Sequence, residues 1–125
     1  FHGHSYTGNP LACAAANASL ELMNNAQLRI NDLAEWQTEF SSILKDNPKI
    51  DNLRQIGTIV AFEVKTDANS NYFNNLRDVL YDNFIKKGVL LRPLGNTVYI
   101  LPPYVITKEQ LQRVYEVIVE VLYLL

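Results

Sequence analysis

Arg54-Gln55-Ile56-Gly57-Thr58-Ile59-Val60-Ala61-Phe62-Glu63-Val64 is the stretch in which this chain changes period. Val60, Phe62 and Val64 alternate with Ile59, Ala61 and Glu63, the two-residue repeat of a strand with both faces partly covered. On either side the apolar residues recur at helical spacing. A sheet inserted between helices needs them as its cover, so the chain reads as α+β.

Upstream, Ile30, Leu33, Trp36 or Gln37, Phe40 and Leu44 make one apolar stripe on a helix expected from about Ala26 to Lys45, which Asp46-Asn47-Pro48 ends. An earlier helix, Leu11 to Met23, is rich in alanine. Its small side chains let a neighbouring backbone approach closely. Asn9 as N-cap and Pro10 at the first helical position mark its start. Downstream, the polar run Thr66 to Asn71 leads to a helix expected over Tyr72 to Lys87, with Phe73, Leu76, Leu80 and Phe84 on one face. Lys86-Lys87-Gly88 closes it, with cations at the negative end and glycine past the cap. Val89 to Leu91 is expected to be a short strand, Pro93-Leu94-Gly95-Asn96 a turn, and Thr97 to Leu101 the returning strand, its antiparallel neighbour. Pro102-Pro103 stops it. Thr107 and Gln110 have the spacing of a capping box before a last helix, with Leu111, Val114, Tyr115, Ile118 and Leu122 on its apolar face. The expectation is a three-stranded, mainly antiparallel sheet with about four helices packed on it.

The 125 residues amount to one domain's worth of chain. A net charge of -2 with scattered lysines and arginines leaves no electrostatic footprint for nucleic acid. No apolar run approaches the ~20 residues of a membrane span. Single Cys13, in an apolar run, fits a packing role and a reducing, cytoplasmic compartment.

Several reactive chemistries lack their residues. His2, His4 and Cys13 are too few for a zinc site, so no metal is expected. Ser5 has no nucleophile elbow around it. The six lysines sit in loops, polar helix ends or at a strand end, not in the apolar pocket an activated lysine needs. Paired carboxylates are not evident. Two features remain. Phe1-His2-Gly3-His4-Ser5-Tyr6-Thr7-Gly8-Asn9-Pro10 can cradle a phosphate with backbone N–H groups and a hydroxyl, and the following helix N-terminus adds favourable partial charge. It can equally be a capped turn. Arg92, at a strand end beside a turn and among apolar residues, is either a solvated charge or a receptor that binds a carboxylate through two parallel hydrogen bonds. Tyr99 lies across the same turn, facing away from Val98 and Ile100.

Together, two blocks resemble a known family. His2 through Ala16 is similar to the His-Gly-x-Thr-Tyr motif of class III aminotransferases, fold type I enzymes that use pyridoxal 5'-phosphate. Gly88 through Asn96, with Tyr99 through Tyr104, resembles the branch that moves an amino group from S-adenosylmethionine to 8-amino-7-oxononanoate, giving 7,8-diaminononanoate in biotin synthesis. Ornithine- and GABA-type members usually carry arginine at the position of Tyr99, whereas this chain places its arginine at the turn. The resemblance spans essentially the whole chain.

It implies the small C-terminal domain of a fold type I transferase. Residues 1–25 would hold the cofactor-phosphate motif and first helix, and residues 26–125 the small substrate-carboxylate-binding domain. Arg92 would receive the substrate carboxylate and Tyr99 would wall its pocket. Gly3, His4 and Ser5 would reach the phosphate of the cofactor in the partner subunit of a homodimer. Ser5 stands where the family mostly has threonine, which keeps the hydroxyl. The family's Schiff-base lysine and the aspartate on its pyridine nitrogen lie upstream of the His-Gly motif, so the chain reads as the C-terminal part of something longer. Alone it is expected to have no catalytic residue, no bound cofactor and no activity. Another class III enzyme and a non-catalytic α/β binding or dimerisation module are the alternatives.

Overall fold

The structure, a computed structural model, describes residues 7–25, 27–65 and 75–125. Helix α1 (Pro10–Asn25) opens on the expected cap: Asn9 Oδ1 accepts from the N–H of Leu11 at 2.9 Å and of Ala12 at 3.3 Å. From Leu11 to Asn24 every side chain is exposed. The core begins with α2 (Gln27–Ser41), prolonged by a 3₁₀ turn (Ser42–Leu44), which buries Leu33, Gln37 and Leu44 and half-buries Trp36 and Phe40.

The sheet follows as β1 (Ile50–Ile56), β2 (Ile59–Val64) and β3 (Thr97–Ile100), in the order β1-β2-β3 and antiparallel throughout. The expected single strand over Arg54 to Val64 is thus a hairpin, turning at Gly57-Thr58 with Ile56 opposite Ile59. Gly57 has φ +53°, which glycine adopts without steric cost, and a two-residue turn leaves no polar loop to interrupt the alternation. The upstream half of β1 carries no clear strand signal for a second reason. Asn52 has φ +52°, and the register shifts between Asp51 and Arg54. Such a bulge breaks the two-residue period that marks a strand.

Val89 to Leu91 is the second correction. The segment forms no strand, and only the bridge Leu94–Thr97 survives of the expected pairing with β3. Pro93 on one side and Pro102 on the other have no N–H to donate to a ladder. β3 pairs instead with β2, placing Val60 opposite Ile100 and Ala61 opposite Tyr99.

Helix α3 (Leu76–Lys86) buries Leu76, Leu80 and Phe84; the expected start at Tyr72, with Phe73, lies outside the described residues. It ends in a Schellman motif: Val89 N–H donates to Phe84 O at 3.0 Å and Gly88 N–H to Ile85 O at 2.9 Å, with Gly88 at φ +79°. Helix α4 (Lys108–Leu124) opens on the capping box. Gln110 N–H donates to Thr107 Oγ1 and Thr107 N–H to Gln110 Oε1, at 3.2 and 3.0 Å.

Val60, Phe62, Val64, Val98 and Ile100 form the sheet's inner face, buried under Leu33 and Leu44, α3, and the Leu111, Tyr115, Ile118 and Leu122 stripe of α4. One polar chain crosses this core. Tyr115 Oη donates to Gln37 Oε1 at 2.5 Å, and Gln37 Nε2 donates to Thr58 O at 2.8 Å. Gln37 is fully buried and Tyr115 nearly so. Burial raises the tyrosine pKa above its ordinary value, so the hydroxyl stays protonated and remains a donor.

Removing one member of a buried hydrogen-bonded pair strands the other, at a cost of about 1–3 kcal/mol. Tyr115→Phe and Gln37→Leu are each expected to lower stability in urea unfolding by that order. The double variant should lose clearly less than the sum. Additive losses would show that the two side chains are not coupled.

Candidate functional site

On the sheet's outer face Tyr99, Ala61 and Arg54 line up across the three strands. Arg54 is held there by Glu63, Nη1 to Oε1 at 3.2 Å, and Asn52 Nδ2 donates to the same carboxylate at 2.9 Å. Beyond the edge of β3 runs the segment Val89 to Arg92. With no ladder between them, the two chains stand apart and leave a cleft. Leu90, Leu91, Arg92, Tyr99 and Leu101 line about 180 Å³ of it.

Arg92 and Tyr99 thus line the same cleft. Arg92 is exposed, and among the described residues it has no hydrogen-bond or ion-pair partner. The other four arginines all donate to protein oxygens: Arg29 to backbone carbonyls, Arg54 to Glu63, Arg77 to Asp78 and Arg113 to Glu116 and Glu120. Tyr99 is half-buried, while Leu90 and Leu101 are largely exposed. A guanidinium whose donors meet no partner among the described residues, set in apolar walls, suits a molecule with a carboxylate and an aliphatic body.

The other half of the expected site, Gly3, His4 and Ser5, lies outside the described residues. The helix start just downstream is described. Gly8 has φ +71°, Pro10 has no N–H, and Asn9 takes the N–H groups of Leu11 and Ala12. The start of α1 therefore keeps its dipole but has committed these donors to its own cap.

Three features carry no signal in the sequence. A larger hollow of about 470 Å³ adjoins the cleft between Gly88–Leu91, Ile100–Pro103 and α4. Its walls come from segments expected to zip together. Arg29 on α2 reaches the chain beyond β3, and this contact spans 75 residues of sequence. Lys87, read as a capping cation, instead donates to Glu120 at 2.7 Å, and Arg113 donates to the other oxygen of that carboxylate at 2.9 Å. This cluster pins the start of the Gly88–Arg92 segment to α4.

The family model for class III aminotransferases matches residues 1–122, and the chain belongs to that family. It is 39% identical over 122 residues to the adenosylmethionine-8-amino-7-oxononanoate aminotransferase of Synechococcus elongatus, covering 98% of this chain and 28% of the relative. To the enzyme of the same name from Helicobacter pylori it is 36% identical, covering 97% and 28%. The chain thus spans a little over a quarter of the length of these curated relatives. Among solved structures, the adenosylmethionine-8-amino-7-oxononanoate aminotransferase of Methanocaldococcus jannaschii superposes with a TM-score of 0.79 at 29% identity, covering 96% of this chain and 30% of that one. The ornithine δ-aminotransferase of Plasmodium falciparum does so with 0.76 at 32%, covering 99% and 31%. No described helix is long and apolar enough to cross a membrane, and no described cluster of His, Cys, Asp and Glu has the makeup of a metal site.

The cluster beside the site makes a prediction about pH. Hydrogen bonds from Lys87 and then from Arg113 hold the Glu120 carboxyl below its ordinary pKa. The stability it contributes is present above the unfolded carboxylate value of about 4.3 and is lost as pH falls through the lowered folded value. Acid unfolding of Glu120→Gln should accordingly show a shallower loss as pH falls below about 4.3 than the parent chain does. Parallel acid limbs would rule out this linkage.

Proposed function

We propose that the chain serves an enzyme that transfers an amino group from S-adenosylmethionine to 8-amino-7-oxononanoate, giving 7,8-diaminononanoate in biotin synthesis. Arg92 binds the acceptor's carboxylate and Tyr99 walls its aliphatic chain. The observation that carries this reading is that Arg92, whose donors have no partner among the described residues, lines a cleft with apolar walls. The names of the Synechococcus and Helicobacter relatives support the choice of substrates.

The donor chemistry of the N-terminal motif fits a phosphate. Gly3 and His4 supply backbone N–H groups and Ser5 supplies a hydroxyl, while the two N–H groups capped by Asn9 take no part. Pyridoxal 5'-phosphate, when bound, supplies the aldehyde that carries the amino group from donor to acceptor. Gly3, His4 and Ser5 hold its phosphate on the partner subunit of a homodimer. Residues 1–25 thus serve the cofactor, and residues 26–125 form the unit that binds the substrate carboxylate. The enzyme works in the cytoplasm.

The chain's own chemistry is positional. Arg92 fixes one end of the acceptor, and the Leu90, Leu101 and Tyr99 walls exclude water along its length, so its far end is presented in one orientation. The lysines support a non-catalytic role for these residues alone. Lys49, Lys65, Lys87 and Lys108 each face an oxygen acceptor, and Lys45 and Lys86 are exposed. None sits in the apolar pocket that would activate an amine.

The second reading, a class III aminotransferase for another amine, is favoured by the 32% identity to the Plasmodium ornithine enzyme. Assay of the whole enzyme with adenosylmethionine against ornithine and GABA separates the two.

Arg92→Ala in the whole enzyme should raise KM for the keto acid by about one to two orders of magnitude, the equivalent of the about 1.5–3 kcal/mol of a charge-assisted hydrogen-bonded contact, with cofactor binding retained. An unchanged KM removes Arg92 from the site. Mixed with pyridoxal phosphate and borohydride, the 125 residues alone should show no stoichiometric label on a single lysine. Such a label would overturn the non-catalytic assignment.

A further inference from the structure

β3 has a ladder partner on one edge only, and Tyr99 and Leu101, at its end, form one wall of the cleft. Past Leu101 the chain leaves the sheet through Pro102 and Pro103. It makes one turn, with Ile106 N–H donating to Pro103 O at 3.0 Å, before Thr107 caps α4. The sheet supplies nothing to fix the height of this return loop against the Gly88–Arg92 segment opposite. Arg29 supplies it. Its Nε donates to Tyr104 O at 2.7 Å, and its Nη2 donates to Val105 O at 3.0 Å and Ile106 O at 3.2 Å. Three successive carbonyls converge on one guanidinium, whose donors are fixed in a plane.

The contact is exposed, so its worth lies in direction more than in burial. Water could satisfy the same carbonyls but would leave the loop free to shift. The two anchors of the cleft are complementary: Lys87, Glu120 and Arg113 hold the start of the Arg92 side, and Arg29 holds the end of the Tyr99 side.

We propose that Arg29 is a positioning residue for the acceptor cleft: by clamping the carbonyls of Tyr104, Val105 and Ile106 it fixes the return loop that continues the wall from Leu101, opposite Arg92. The inference rests on the assignment of Arg92 as the carboxylate receptor. Lysine, with a compact ammonium in place of the planar fork, can meet part of the requirement.

The test is made in the whole enzyme with Arg29→Ala, Arg29→Lys, Arg92→Ala and the Arg29→Ala/Arg92→Ala pair. Arg29→Ala should raise KM for the keto acid by about threefold to tenfold, the order expected from misplacing a binding wall, with kcat and the donor KM little changed. Arg29→Lys should recover part of that, and the double variant should be no worse than Arg92→Ala. Hydrogen exchange should quicken at residues 101–107 while the β2 amides stay protected, which identifies a folded variant. An unchanged acceptor KM in Arg29→Ala, with Arg92→Ala impaired, overturns the role of Arg29 and leaves the site standing. No effect from either variant overturns both. An equal rise in donor and acceptor KM with quickened exchange in β2 reports a general loss of structure and overturns the positioning role.

Discussion

The buried amide of Gln37 is the constraint on which the rest of the domain depends. It sits where an apolar side chain would be expected, with no exposed surface, between the tyrosine of α4 and the carbonyl at the turn of the β1–β2 hairpin. Such a group is tolerated in a core only when each of its atoms has a partner, and partners on two other elements must then sit at one distance and angle. Apolar packing alone would let α4 slide along the sheet by a fraction of a turn at little cost. The Tyr115–Gln37–Thr58 chain removes that freedom, and Lys49, whose ammonium donates to Leu122 O at 2.9 Å, repeats the restriction at the far end of α4.

With one face of the sheet fixed in this way, the other is left to carry the candidate site. The prolines are decisive here. A fourth strand paired to β3 would satisfy the backbone groups of Val89 to Leu91 but would close the cleft in which Arg92 and Tyr99 meet. Pro93 and Pro102 prevent that pairing from both sides, so the two chains run close without joining. The fold gives up ladder hydrogen bonds at the edge and gains a slot with an arginine at one end. The same choice makes side-chain anchors necessary for Val89 to Arg92 and for the chain past Leu101, which have no ladder, whereas β3 keeps its pairing with β2.

Legibility in the sequence has the same physical origin. Asn9, Gly88 and the Thr107–Gln110 pair signal helix ends because caps are made by side chains or glycines adjacent in sequence. The stripes of α2, α3 and α4 are legible because one face of each is buried. Gln37 itself is ambiguous with Trp36, as an amide in a core is not predicted by periodicity. The hairpin at Gly57 and the bulge at Asn52 are hidden because a tight turn keeps the alternation while a bulge breaks it. Arg92 and Tyr99 are legible as a pair since one short turn separates them. Arg29 and the Lys87–Glu120 contact are not, because their partners are set by how the helices pack.

The placement of the arginine also bears on specificity. On β3, at the position of Tyr99, a guanidinium would project from the sheet opposite Ala61, close to the Arg54–Glu63 pair on the same face of the sheet. Glu63 would then compete with a substrate carboxylate for it. At Arg92 the charge lies on the far side of the slot, where it meets no protein carboxylate among the described residues, and Tyr99 presents a flat, largely apolar surface in its place. A long aliphatic acid can then lie along Tyr99 with its charge beyond the ring. A short, doubly charged amino acid would find only one of its charges answered. An arginine on the adjoining turn in place of one on the strand would thus lengthen the candidate site without altering the fold that carries it.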